Sequence, residues 1–162
     1  MSRGGAPSVR LRRFGESVAG IVLDRPPVNV LRLAELESLA ETLTRVAPAR
    51  AVVLSSSGTA FSAGVDVAEH EPDPARIDAM LAAMRSALRE LVGVPAVTIA
   101  AVRGACLGGA AELVLACDLA VVAEDARIGF PEIRLSCFPP AAAVLLGQAI
   151  GAARANDWIL TG

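Results

Sequence analysis

A glutamate one turn into a helix that follows a glycine loop can do acid–base chemistry. Residues 103–112, Arg-Gly-Ala-Cys-Leu-Gly-Gly-Ala-Ala-Glu, have that pattern. An apolar strand, Ala96 to Val102, empties into the loop, and a helix opens at Gly109. The first N–H groups of a helix lack intrahelical acceptors, and the helix dipole adds to their attraction for negative charge. Gly108 and Gly109 allow a ligand to approach the backbone closely. Glu112 is then placed to give or take a proton beside whatever anion the loop holds. The same residues also fit a tight strand-to-helix turn whose glutamate only favours the helix N-terminus.

A second segment has the same construction. Residues 51–67 read Ala-Val-Val-Leu-Ser-Ser-Ser-Gly-Thr-Ala-Phe-Ser-Ala-Gly-Val-Asp-Val, an apolar strand followed by a small-residue loop. Phe61-Ser-Ala-Gly-Val-Asp66 is followed by Gly104-Ala-Cys-Leu-Gly-Gly-Ala-Ala-Glu112 and then by Cys117-Asp-Leu-Ala-Val-Val-Ala-Glu-Asp-Ala-Arg-Ile-Gly-Phe-Pro-Glu-Ile133. With Trp158-Ile-Leu-Thr-Gly162 at the end, this order and spacing resembles the crotonase (enoyl-CoA hydratase/isomerase) superfamily over almost the whole chain.

The resemblance implies a ClpP/crotonase-like α/β fold of repeated ββα units and an acyl-CoA substrate, with coenzyme A arriving as part of the substrate and no separate cofactor or metal. It places an oxyanion hole for the thioester carbonyl on the backbone N–H groups of Val65 and Gly109. Preorganised donors at a developing enolate oxygen are worth about 3–4 kcal/mol each. Ala63 and the neighbouring loop backbone match the positions that hold the adenine. Gly64, Asp66, Leu107, Gly108 and Pro131 fall beside the substrate. Arg25 matches the region along the CoA phosphates, although a solvated arginine at a strand end fits it as well.

Glu112 and Glu132 match the two glutamates of the hydratase members. Two carboxyl groups hold one water when their protonation states differ, as closely placed like charges promote. The resemblance thus implies Glu112 as general base on water and Glu132 as the acid that protonates carbon, with the roles reversed or shared in dehydration. Three departures stand out. Ala110 replaces a third glycine, and Ser136-Cys-Phe-Pro-Pro-Ala-Ala-Ala143 replaces a glycine-rich segment. Together with Phe61–His70, that replacement resembles the branch hydrating cyclic dienoyl-CoA esters. The chain also stops at Gly162, where family members continue into C-terminal helices. A single core domain over 1–162 with that helical region largely absent is expected, as a fragment, a short form or half of a split enzyme.

Other readings stay open. The fold is similar to that of ClpP-type serine proteases, so Ser62, Asp66 and His70, the only histidine, invite comparison with a hydrolytic triad. A triad is a matter of geometry rather than of proximity along the chain, and no Gly-x-Ser-x-Gly elbow is present. His70 also fits a loop residue near the acyl pocket. Isomerase or thioester-hydrolase chemistry, or a non-catalytic CoA-binding or assembly subunit, are further alternatives. The family resemblance implies a homotrimer or hexamer, with helix 140–150 near the contact.

The elements that must position these residues alternate strand and helix. Val9–Phe14 and Val18–Leu23 read as paired strands, and Asp24-Arg-Pro-Pro27 ends the second because proline cannot continue a ladder. Leu33, Leu36, Leu39, Leu43 and Val46 predict a helix over about 32–47. Asp73-Pro74 is a helix start, and Ile77, Leu81, Met84, Leu88 and Leu91 form its core-facing stripe until Gly93 and Pro95. Further strands are expected at 51–55, 96–102, 118–123 and near 127–130, with helices at 109–117, 140–150 and 152–160. A mostly parallel, helix-covered sheet follows.

Composition narrows the partners. The 162 residues suffice for one substantial core, and the 54% hydrophobic content holds no apolar run of the roughly 20 residues a membrane span needs. The first seven residues carry no apolar stretch resembling a signal peptide, so a cytoplasmic protein is expected. A net charge of −2 argues against nucleic acid. All 15 basic residues are Arg. A Schiff-base lysine is therefore excluded, and a ligand phosphate must be met by guanidinium or backbone N–H. Cys106, Cys117 and Cys137 read as buried free thiols in a reducing compartment.

Overall fold

The computed structural model describes residues 8–67 and 73–162. Strands β1 (Val9–Phe14) and β2 (Val18–Leu23) form an antiparallel hairpin in which Val9 faces Leu23 and Phe14 faces Val18. Helix α1 (Leu33–Thr44) then leads to β3 (Ala51–Ser56), and α2 (Pro74–Gly93) leads to β4 (Val97–Val102). A short β5 (Ala105–Leu107) precedes α3 (Gly109–Leu115), which is followed by β6 (Leu119–Val122) and β7 (Arg127–Gly129). A 3-10 turn over Pro131–Leu135 and helices α4 (Pro140–Ile150) and α5 (Ala152–Thr161) complete the chain.

The main sheet has the order β1-β2-β3-β4-β6, parallel from β2 onward. Each parallel step requires a crossover, and the helices supply it. One face of the sheet presents Ala19, Ile21, Leu23, Val52, Leu54, Ala100 and Val102, all buried. Leu36, Leu39 and Leu43 of α1 and Met80, Met84, Ala87 and Leu91 of α2 belong to the same core. Fully burying one such aliphatic side chain is worth about 1.5–3 kcal/mol. β5 and β7 pair in parallel as a separate small sheet, Cys106 opposite Ile128.

The expected strands are present and β5 is an addition. It was hidden by its three-residue length between Gly104 and Gly108. Helix α1 ends at Thr44 rather than at about 47. The physical reason comes from β1: Arg13 donates to the carbonyl oxygens of Val46 (2.6 Å), Arg45 (2.6 Å) and Ala47 (2.9 Å). Its guanidinium takes the place of further helical turns as partner for those groups. Helix α2 begins as its sequence requires, with the Asp73 carboxylate accepting from the Ala75 N–H at 3.0 Å and Pro74 in the first turn.

The thiols need a correction. All three are free, but only Cys106 is buried; Cys117 is half-buried and Cys137 is exposed. The 3-10 turn that precedes Cys137 has no buried residue, so that stretch offers no core to enter. Burial pushes the Cys106 thiol up to about 12. Among the described residues, no helix is long and apolar enough to cross a membrane, and no cluster of His, Cys, Asp and Glu could hold a metal ion.

Candidate active site

Two loops leave the ends of β3 and β5 and meet. The first is held by Asn29, a buried residue whose side-chain amide donates to Ser57 O (2.8 Å) and Ala60 O (2.9 Å). Its Oδ1 accepts from the Arg25 N–H at 2.7 Å, so one side chain ties the loop after β2 to the loop after β3. Further along, Ala63 N–H donates to Val28 O at 2.8 Å, and Val65 forms a parallel bridge with Leu31. Ser62 Oγ accepts from the Gly64 N–H at 3.0 Å. Gly64 has φ +94°, and a Cβ there would stand 2.6 Å from Leu107 O, so only glycine fits.

The second loop presses against the first. Leu107 N–H donates to Ser62 O at 3.0 Å, and Gly108 N–H donates to Gly129 O at 2.9 Å. Gly108 has φ +54°, and a Cβ on it would lie 2.6 Å from Glu132 Oε1. A Cβ on Gly109 would fall 2.7 Å from Val65 Cγ2 and 3.5 Å from Met84 Cε. Val65 and Gly109 are therefore neighbours, and so are Gly108 and Glu132. Among the described residues, neither the Val65 nor the Gly109 N–H donates to a protein acceptor.

The two glutamates have different surroundings. Glu112 is only 3% exposed. Its Oε1 accepts from the Ala141 N–H at 2.6 Å and from the Ala142 N–H at 2.9 Å, both in the first turn of α4. Burial raises its pKa above the ordinary carboxylate range, and the two backbone donors work in the opposite direction. Glu132, in the 3-10 turn opened by Pro131, is half-buried. Its Oε2 is buried without a hydrogen-bond partner. Burial raises its pKa too, and the charge of Glu112 adds to the rise, so the two carboxyl groups are electrostatically coupled.

The structure thus brings together Ser62, Gly64, Val65, Leu107, Gly108, Gly109, Pro131 and Glu132, with Glu112 one turn along α3. It engages Arg25 and Asp66 with protein groups. Arg25 Nε lies 3.6 Å from Glu35 Oε1, and Asp66 Oδ2 accepts from Arg32 Nε at 3.1 Å. Ser62 is fully buried, which removes it as an accessible nucleophile, while His70 lies outside the described residues.

Sequence reasoning missed Asn29, the Gly109–Met84 contact and the grip of α4 on Glu112. An Asn two residues past Pro26-Pro27 is a turn signal and could have exposed the first. Met84 reads as an ordinary member of a helical stripe. Pro139-Pro140 marks a helix start, but nothing along the chain shows what that start faces.

Comparison with known proteins gives this geometry a context. The family described as Enoyl-CoA hydratase/isomerase matches residues 13–162. The cyclohexa-1,5-dienecarbonyl-CoA hydratase of Thauera aromatica is 39% identical, over 100% of this chain and 63% of its own length. A probable enoyl-CoA hydratase of Bacillus subtilis is 34% identical over 90% of this chain and 58% of its own. Among solved structures, the enoyl-CoA hydratase from Bacillus anthracis superposes with a TM-score of 0.90 at 33% identity, covering 96% of this chain and 63% of that one. The chain spans about three-fifths of the length of these relatives. It carries the crotonase fold and belongs to the enoyl-CoA hydratase/isomerase family.

Proposed function

We propose that this chain forms the catalytic core of a hydro-lyase that adds water across the double bond of an α,β-unsaturated acyl-CoA. The observation that carries the reading is the contact of the two loops, Val65 against Gly109 and Gly108 against Glu132. A thioester carbonyl seated on the Val65 and Gly109 N–H groups has its developing enolate charge stabilised there. Water attacks the β-carbon as Glu112 takes its proton, and Glu132 protonates the α-carbon; dehydration runs the same steps backwards. Ala63, Gly64, Leu107, Gly108 and Pro131 line the route of the CoA thioester. Arg25 and Asp66 flank it and contribute through their pairs with Glu35 and Arg32. Similarity to the Thauera relative, together with the segment Ser136–Ala143 that lacks glycine, favours a cyclic dienoyl ester as the acyl group.

Spectrophotometric hydration of crotonyl-CoA against cyclohexa-1,5-diene-1-carbonyl-CoA, with product identification, tests the substrate. Glu112→Gln and Glu132→Gln test the chemistry. Each variant is expected to lose at least about two orders of magnitude in rate, the scale of a general acid or base, while still binding the thioester. Hydration near the parent rate by either variant overturns the two-carboxylate mechanism.

The same reading includes a trimer or a multiple of it. Its support is the exposed apolar surface of α4, where Val144 is 65% exposed, and of β6, in a fold whose relatives are longer. Light scattering at micromolar concentration is expected to give that mass, and a clean monomer contradicts it.

A further inference from the structure

The first turn of α4 does more than start a helix. Pro139 and Pro140 carry no N–H, so the first donors this helix offers are those of Ala141 and Ala142. Both converge on Glu112 Oε1, at 2.6 and 2.9 Å, across 29 and 30 residues of sequence. A glutamate carboxyl turns about a broad, nearly two-fold terminal torsion, so its oxygens are interchangeable unless something distinguishes them. Two backbone donors on one oxygen make that distinction. Hydrogen bonds of this kind to an ionised carboxylate are stronger than neutral ones, and the positive end of the helix dipole adds to them. Glu132 has no such pair from a helix start: its own N–H is the backbone donor acting on its carboxyl, and its Oε2 is buried without a hydrogen-bond partner.

We propose that the α4 first turn is a positioning element of the proton-transfer pair: the Ala141 and Ala142 N–H groups hold Glu112 Oε1, leave Oε2 as its working oxygen, and reserve the shared proton for Glu132. This rests on the catalytic reading of the two glutamates given above. A helix-capping role alone would also explain the contacts, because a carboxylate at a helix start stabilises the helix. That role does not require the proton to reside on Glu132. Among the described residues, the titratable group whose charge acts together with that of Glu112 is Glu132, and Cys137 in turn feels Glu132. The first turn of α4 has no titratable side chain, β5 beside α3 has the Cys106 thiol as its one titratable group, and α2 comes nearest the α3 N-terminus through Met84.

Carbon-13 NMR of the chain labelled at glutamate δ-carbons, assigned with Glu112→Gln and Glu132→Gln, reads the order of protonation directly and needs no turnover. On acidification Glu132 is expected to take up the first proton while Glu112 stays ionised. Protonation of Glu112 first overturns the proposal, even if both Gln variants are inactive and the catalytic reading stands. Ala142→Pro removes one of the two donors at a position whose N–H has no intrahelical acceptor. Loss of one charge-assisted hydrogen bond corresponds to about tenfold or more in the ionisation equilibrium of Glu112. The acid limb of kcat should therefore move up by about one pH unit, with KM unchanged. A lower melting temperature with an unmoved limb leaves only the capping role and overturns the proposal. Should Ala142→Pro not fold, the carbon-13 titration of the parent chain decides alone.

Discussion

Along β2, β3 and β4 the side chains of one sheet face are buried beneath α1 and α2, whereas all 4 residues of β6 are exposed. The two regions divide the candidate site between them. Val65 and its loop are anchored in the closed part, through Leu31, Asn29 and Ser62. Glu132 stands on a turn with no buried residue, and α4, which grips Glu112, buries only Ala142 and Leu146. The Val65 half of the proposed oxyanion hole is thus anchored to the buried core. In the proposed proton-transfer pair, Glu112 itself sits on the buried α3, whereas Glu132 and the α4 turn that grips Glu112 rest on backbone hydrogen bonds and thin packing. A fold can build its charge-stabilising loops and its proton-transferring groups to different standards of rigidity, because the backbone donors must be fixed before the substrate arrives.

The contrast is tested most strongly by paired substitutions. Leu36→Ala, at a fully buried position on α1, is expected to cost about 2–5 kcal/mol by denaturant unfolding. Asn29→Ala comes next, because it leaves the Ser57 carbonyl and the Arg25 N–H without their partner and the Ala60 carbonyl with the Ser56 hydroxyl alone; a cost of about 1–3 kcal/mol is expected. Asn29 also sits at φ +51°, so Asn29→Gly should recover the backbone part of that loss, and its hydration rate then isolates the hydrogen bonds. Val121→Thr on β6, 67% exposed, should stay within about 0.5 kcal/mol. A cost for Val121→Thr comparable to that of Leu36→Ala would show that β6 is covered in solution and would erase the contrast.

Much of the closed region was legible along the chain. The apolar runs in Val18–Leu23 and Ala51–Ser56, the Leu spacing of α1 and the Asp-Pro start of α2 are local patterns, and local patterns suffice where core burial follows them. The loops were placed by the order of their motifs, and the structure adds which atoms touch. Three things were not legible. β5 is too short for periodicity to register, and its pairing with β7 joins residues far apart in sequence. The end of α1 is decided by Arg13, a strand residue whose partners lie 32 to 34 positions away. The attachment of Glu112 to α4 depends on how two helices pack, which the sequence at either helix does not record.

That same Arg13 has a consequence for how the molecule comes apart. Its guanidinium spans from β1 to the end of α1, while Ser8 Oγ donates to Glu35 Oε1 at 2.8 Å near the start of that helix. The hairpin and α1 are thus fastened at both ends of the helix. Neither can detach alone without exposing carbonyls or a carboxylate that the other had satisfied. The hairpin and α1 are therefore expected to lose hydrogen-exchange protection together rather than residue by residue, and this stretch is the block on which the Asn29 tie and the Val65 loop are mounted.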